Sequence, residues 1–273
     1  MALTSDIKQL LAQQPIDIPV FHPVALKLTM MIPDPYSDFD DIVRVITEDQ
    51  AISAQVLKMA NSSAYMGLVK AETIKDSAIR LGVRQISALA MAASQSSLHS
   101  SSNVTVNTIM QELWQHSLAC AVGSWWVAQN TGHEVIIDHA YLAGLLHDIG
   151  KLHLLKAVER LAREQQVQVR LDRLFLLDVF SEMHVEQGSR IMEHWNIPSI
   201  YRSVVANHHQ EQTDSVDTLL TIVRLVNAVS RNINLSLDMD NIMPLMDIPE
   251  VSILGLDESQ CMKLESVMVS SRV

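Results

Sequence analysis

Little in this chain can build a sheet. Eight glycines and eight prolines in 273 residues leave too few turn-formers for a many-stranded β protein, and aromatics, which strands favour, make up only 4%. Cysteine is nearly absent. Cys120 and Cys261 sit in separate apolar stretches without a CxxC spacing, which excludes a disulfide scaffold and fits buried free thiols in a reducing compartment. No apolar run reaches membrane length: the stretch around Leu118 to Ala128 is half a span and contains Gly123 and Ser124. Positive charge is scarce too, and a formal net charge of −11 argues against phosphate-backbone or anionic-lipid binding. Met1 to Pro15 lack the apolar core of a signal peptide. The expectation is a cytoplasmic protein with neither nucleic acid nor membrane as partner. GxSxG, HExxH and a glycine-rich phosphate loop are all missing.

What the chain has is aliphatic helix-forming sequence, 48% hydrophobic overall. Prolines 15, 19, 23, 33 and 35 punctuate the start, with a short helix predicted over Val24–Met31. Helical spacing follows over Asp38–Asp49 (Ser37 or Asp38 as N-cap), Ala51–Ala60, Thr73–Leu81 closed by Gly82, and Val83–Ser94. The serine-rich stretch Ser94–Asn107 reads as a loop and hinge. Helical periods resume over Ile109–Gln129, His139–Leu146, Lys151–Gln165, Arg173–Ser181, Val185–Trp195, Ile200–His208, Thr218–Arg231 and Glu258–Val269, the last capped by Asp257. The fold class is therefore all-α with two helical lobes. Residues 1–100 form an N-terminal lobe and 101–273 a second, as one continuous unit.

Histidine is the informative residue. Nine of the eleven lie from His116 onward. His116, His147, His184, His208 and His209, with Asp148, supply the imidazole and carboxylate mixture that iron, manganese, zinc or cobalt sites use. No spacing among them is a local metal motif, so these ligands would have to converge from several helices, as helix bundles allow. Within Leu145-Leu146-His147-Asp148-Ile149-Gly150-Lys151, both side chains of the His-Asp pair could ligate. Gly150 gives the chain room to turn, and Lys151 places a cation where a phosphate could sit. Taken singly, His147 could equally be a core histidine and Asp148 a helix cap. Neighbours such as His208 and His209 point about 100° apart on a helix and rarely share a target, except near a helix end or with a pair of metals. His133, His139, His153 and His194 are read as non-ligands, and His22 and His99 as surface.

Together these stretches closely resemble the HDOD domain. Glu112-Leu-Trp-Gln-His116, His147-Asp148-Ile-Gly-Lys151, His184-Val-Glu-Gln-Gly188, Trp195-Asn-Ile-Pro198 and His208-His209 match its second half. Pro19, Glu48-Asp49-Gln50-Ala51-Ile52, Leu57-Lys-Met-Ala-Asn61 and Ile74 through Gly82 match its first, so the resemblance spans roughly residues 10 to 230. Gln50 departs from the family's usual proline at a helix start.

The resemblance implies an HD-like helical bundle in the C-terminal lobe, related to the metal-dependent HD and HD-GYP phosphohydrolases. Carried over, it makes His116, His147, Asp148, His184, His208 and His209 metal ligands and Lys151 a catalytic cation. The metal would be divalent, iron foremost, with manganese or zinc as alternatives. It also implies a bacterial-type signalling module with a signalling-protein partner and a phosphate-containing small molecule as ligand. The alternative is a working phosphohydrolase on a nucleotide or cyclic nucleotide. Two departures weigh against the alternative. Asn227 stands where active relatives usually have a final aspartate, and Gln210-Glu-Gln-Thr-Asp replaces the Gly-Tyr-Pro loop after His209. Glu112, four residues before His116, shares its helix face and could serve the metal or the surface.

Overall fold

The computed structural model describes residues 5–16, 24, 27–28, 31, 38–65, 67, 69–96, 98–164, 171–210, 217–237 and 242–271. His22, most of the helix expected over Val24–Met31, and the segment after Gln210 lie outside them. Among the described residues every regular element is helical. In chain order they are α1 (Ser5–Ala12), α2 (Phe39–Thr47), α3 (Gln50–Ala60), α4 (Ile74–Leu81), α5 (Val83–Ser96), α6 (Val104–Asn130), α7 (Ile137–Leu146), α8 (Ile149–Arg163), α9 (Arg173–His194), α10 (Ser199–Asn207), α11 (Thr218–Asn232), α12 (Pro249–Leu254) and α13 (Glu258–Ser270). None of these helices is long and apolar enough to cross a membrane.

The chain forms two compact units, and the division is not one cut. One unit takes residues 19–98 together with 266–273; the other takes 1–18 and 99–265. In the smaller unit α5 packs against α3 and α4. Its helices start where side chains capture orphan amides. Asp38 accepts from Asp41 N, Asp49 from Ile52 N, and Thr73 forms a capping box with Asp76. Gly82, at φ +83°, ends α4 in a conformation that L side chains rarely adopt.

The larger unit is built on α6, which packs on α7 and α11, while α9 packs on α8 and α10. Ser94–Asn107 is less of a loop than its serines suggest. Helix α5 runs on to Ser96, and α6 begins at Val104, where Asn103 accepts a hydrogen bond from Val106 N. Serine is tolerated in the last turn because its hydroxyl bonds back to the helix, as Ser96 does to the Ala93 carbonyl. The two helices expected at Arg173–Ser181 and Val185–Trp195 are one, since nothing in Ser181-Glu-Met-His184 breaks a helix. His99 is buried rather than at the surface, its ring 5.5 Å from that of Trp114.

Glycines set how closely the helices of this unit approach. A Cβ on Gly150 would lie 1.9 Å from the His184 carbonyl oxygen, and one on Gly144 would lie 2.5 Å from that of Cys120. Gly150 is therefore a contact point between α8 and α9, not a turn residue: it already sits in the first turn of α8.

Candidate metal centre

Five histidines and one aspartate, drawn from residues 116 to 209, meet inside the larger unit. His116 comes from the middle of α6 and His184 from the middle of α9. Two residues separate α7 from α8: His147, which caps the C-terminal end of α7 by donating its N–H to the Ala143 carbonyl, and Asp148. His208 caps the C-terminal end of α10, and His209 follows it. That helix end is what lets two neighbouring histidines face one target, their ring centroids 4.2 Å apart.

The Asp148 carboxylate lies at the centre, fully buried. Its Oδ2 is 3.1 Å from His116 Nε2, 3.5 Å from His147 Nε2 and 2.6 Å from Lys151 Nζ. Its Oδ1 faces the other way, 3.5 Å from His208 Nε2 and 3.7 Å from His184 Nε2. This Oδ1 has no hydrogen-bond partner among the described residues, although a buried oxygen left so is costly. Asp148 opens α8 without capping it, so its carboxylate is left to the cluster.

Four of the imidazoles are locked in one tautomer. His116 Nδ1 lies 3.0 Å from the Leu235 carbonyl, His147 Nδ1 2.8 Å from Gly144, His184 Nδ1 2.6 Å from Phe180 and His208 Nδ1 2.9 Å from Val205. A carbonyl only accepts, so each Nδ1 carries a hydrogen, and in its neutral form each ring turns an Nε2 lone pair toward Asp148. The His116 and His147 Nε2 atoms are 3.2 Å apart, and those of His184 and His208 3.4 Å. Two nitrogens bound to one tetrahedral ion at about 2.0–2.1 Å lie about 3.3 Å apart. Facing imidazole nitrogens at these spacings around a carboxylate fit a divalent ion on each side of Asp148.

The charge states fit as well. Burial would raise the Asp148 carboxyl, but Lys151, His147, His116 and His208 together hold it well below its ordinary value. Burial pushes His147 well below the usual imidazole range and His184 down to about 4. His209 is exposed at one edge, yet burial of the rest, followed by repulsion from His208 and His184, takes it to about 3. All three are neutral at physiological pH, as ligands must be. His116 differs: burial opposes its proton, but Cys120 and Asp148 outweigh burial and hold it at about 9, so an entering ion has to displace the Nε2 proton of this ring.

Beside the cluster opens a pocket of about 630 Å³, whose lining includes Lys151, Arg173, Phe180, His184, His209 and Leu237. Arg173 had no distinguishing signal in the sequence. It pairs with Glu112 at 2.6 Å, which turns that glutamate toward the rim rather than the cluster. Asn227 is buried on α11, and among the described residues no hydrogen bond ties its side chain to the cluster. The remaining described histidines stay apart: His139 pairs with the Tyr201 hydroxyl at 2.7 Å, His194 is exposed, His133 is half-buried, and His153 is buried on α8 within the influence of Arg190 and Arg160.

Comparison with known proteins agrees with this architecture. The sequence profile of the HDOD domain matches residues 18–211, and the chain belongs to that family. A protein of Shewanella amazonensis SB2B, provisionally named a metal-dependent phosphohydrolase, superposes with a TM-score of 0.71 at 22% identity, over 97% of this chain and 96% of that one. An HDOD domain protein of unknown function from Geobacter sulfurreducens gives 0.72 at 20% identity, over 97% and 94%. A protein of Marinobacter aquaeolei VT8, provisionally named for signal transduction, gives 0.64 at 19%, over 97% and 63%. These likenesses establish the fold. An uncharacterised protein of Treponema pallidum (strain Nichols) is 23% identical over 210 residues, 76% of this chain; the chain spans 40% of that relative's length.

Proposed function

We propose that this chain is a signal-transduction module that holds divalent metal at His116, His147, Asp148, His184, His208 and His209 and there binds a phosphate-bearing small molecule. The observation that carries this reading is the ring of four tautomer-locked Nε2 atoms around one buried carboxylate, with Asp148 Oδ1 lacking a hydrogen-bond donor. Bound there, the ions supply Lewis-acid polarisation of phosphoryl oxygens and activation of water. Imidazole and carboxylate donors suit iron, manganese, zinc or cobalt, with iron the first to test. Lys151 adds a cation at the pocket and neutralises Asp148 when no ion is there. Arg173, at the rim, offers the planar fork that suits a phosphate. Signalling would pass to a protein partner through the change that ligand binding makes in this unit.

A second reading, metal-dependent hydrolysis of a phosphodiester, is favoured by one observation: the pocket reaches His184, His209 and Lys151 directly, so a bound phosphate can touch the cluster. Asn227 in place of a carboxylate supports the regulatory reading instead. The test is to load the protein with iron or manganese and measure both inorganic-phosphate binding and cyclic-dinucleotide hydrolysis. Metal-dependent binding with weak hydrolysis is expected; brisk turnover would replace the regulatory reading with the enzymatic one.

A further inference from the structure

The two halves of the cluster are unequally provided with negative charge. Asp148 is the carboxylate common to both, and its Oδ2, the oxygen facing His116 and His147, already accepts from Lys151 at 2.6 Å. No other carboxylate joins His116 and His147 among the described residues: Glu112 is paired with Arg173, and Asn227 is an amide. The third potential ligand on that side is Cys120. It stands one turn along α6 from His116, fully buried and unpaired with Cys261. Its Sγ is 3.8 Å from His116 Nε2 and within 4.8 Å of a His147 ring nitrogen. A sulfur at about 2.3 Å and a nitrogen at about 2.0–2.1 Å from one tetrahedral ion lie about 3.5 Å apart.

We propose that Cys120 is a sulfur ligand to the ion held by His116 and His147. The assignment rests on the metal reading above and adds a second, softer coordination chemistry to it. Three observations support it: the three-residue group itself, its deficit of anionic donors, and the buried Asp148 Oδ2 set 3.1 Å from His116 Nε2 and 3.5 Å from His147 Nε2 on the same side. On metal entry the S–H bond breaks, its proton leaves to solvent, and the sulfur electron pair forms the bond to the ion; a metal-bound thiol is deprotonated outright. No oxidant or reductant is involved. A thiolate on one side makes the two positions chemically distinct. The Cys120 side favours zinc, cobalt or ferrous iron over manganese, while the His184–His208 side keeps only nitrogen and oxygen donors.

Cobalt(II) is the probe, because a bound thiolate adds an intense near-ultraviolet charge-transfer band to the visible d–d bands that any ligand set gives. Metal-stripped wild-type protein titrated with cobalt should show both. Cys261→Ser should keep the charge-transfer band. Cys120→Ser should lose it and hold the affected ion about tenfold or more weakly. Visible bands without the charge-transfer band in the wild type would overturn the sulfur ligand and leave the metal reading standing; that outcome does not depend on any variant folding. A charge-transfer band that survives Cys120→Ser would overturn it equally. No bound cobalt at all would overturn both readings.

Discussion

Gly150 and His184 touch backbone to backbone: the space where a Cβ on Gly150 would sit is only 1.9 Å from the His184 carbonyl oxygen. That contact fixes Asp148 and Lys151, at the start of α8, against the histidine one turn of α9 supplies. Gly150→Ala must push the two helices apart. Overpacking of this kind costs roughly 1–3 kcal/mol or more. The expected result is a lower melting temperature together with loss of metal from the His184 side. A variant that melts lower but retains its full metal content would show that this contact serves stability alone.

Glu112 and Arg173 form an ion pair that is 41% and 45% exposed on its two side chains. Such pairs are worth about 0–1 kcal/mol, so Glu112→Ala should scarcely change stability and should leave bound metal unaltered. Arg173→Ala should weaken binding of inorganic phosphate or a nucleotide several-fold, and Glu112→Ala, by freeing the guanidinium, should strengthen it. Loss of metal in Glu112→Ala, measured per chain, would place the glutamate in the cluster after all.

His153 is buried, its Nε2 has no hydrogen-bond partner among the described residues, and burial followed by Arg190 and Arg160 pushes its pKa down to about 4. The folded protein therefore resists a proton that the unfolded chain accepts near pH 6.5. The stability tied to this group is complete above about pH 6.5 and falls as pH drops toward 4, by at most about 1.4 kcal/mol per unit. His153→Leu should flatten part of the stability loss between pH 6.5 and 4 in denaturant titrations. An unchanged slope would assign the acid sensitivity to His184 and its neighbours.

Much of this was legible in the chain because it depends on local rules. The helical class follows from periodic aliphatics and scarce turn residues, and the caps at Asp38 and Gly82 are where short-range chemistry puts them. Other features depend on distant contacts. Gly150 reads as a turn residue until α9 is seen against it. Arg173 and Cys120 resemble any helical arginine or buried thiol until the fold sets them beside Glu112 and His116. The carbonyl that orients His116 belongs to Leu235, 119 residues away. It is presented just after Asn234, at φ 54°, turns the chain out of α11. Nothing around residue 116 could announce it. Serine content misled at Ser94–Ser96 because a hydroxyl can satisfy itself on its own helix.

Asn227→Asp should add an anion to a neighbourhood that, with two divalent ions, has few. Without metal the new buried carboxylate should be destabilising, by roughly 1–3 kcal/mol. With metal the loss should be recovered, so the metal-induced rise in melting temperature should exceed that of the wild type, and phosphodiester hydrolysis should increase. If neither changes, the absence of a Gly-Tyr-Pro sequence after His209 becomes the better candidate for what limits hydrolysis.

The central claim is that a buried carboxylate ringed by imidazoles is a metal centre. It is tested most directly by elemental analysis of protein purified without chelator, wild type beside Asp148→Asn and His208→Ala. The account predicts stoichiometric iron, zinc or manganese in the wild type and a large loss in both variants, with Asp148→Asn affected most because its carboxylate faces both halves of the cluster. Wild-type protein that is free of transition metal, and that takes up none when iron, zinc or manganese is supplied, would contradict it.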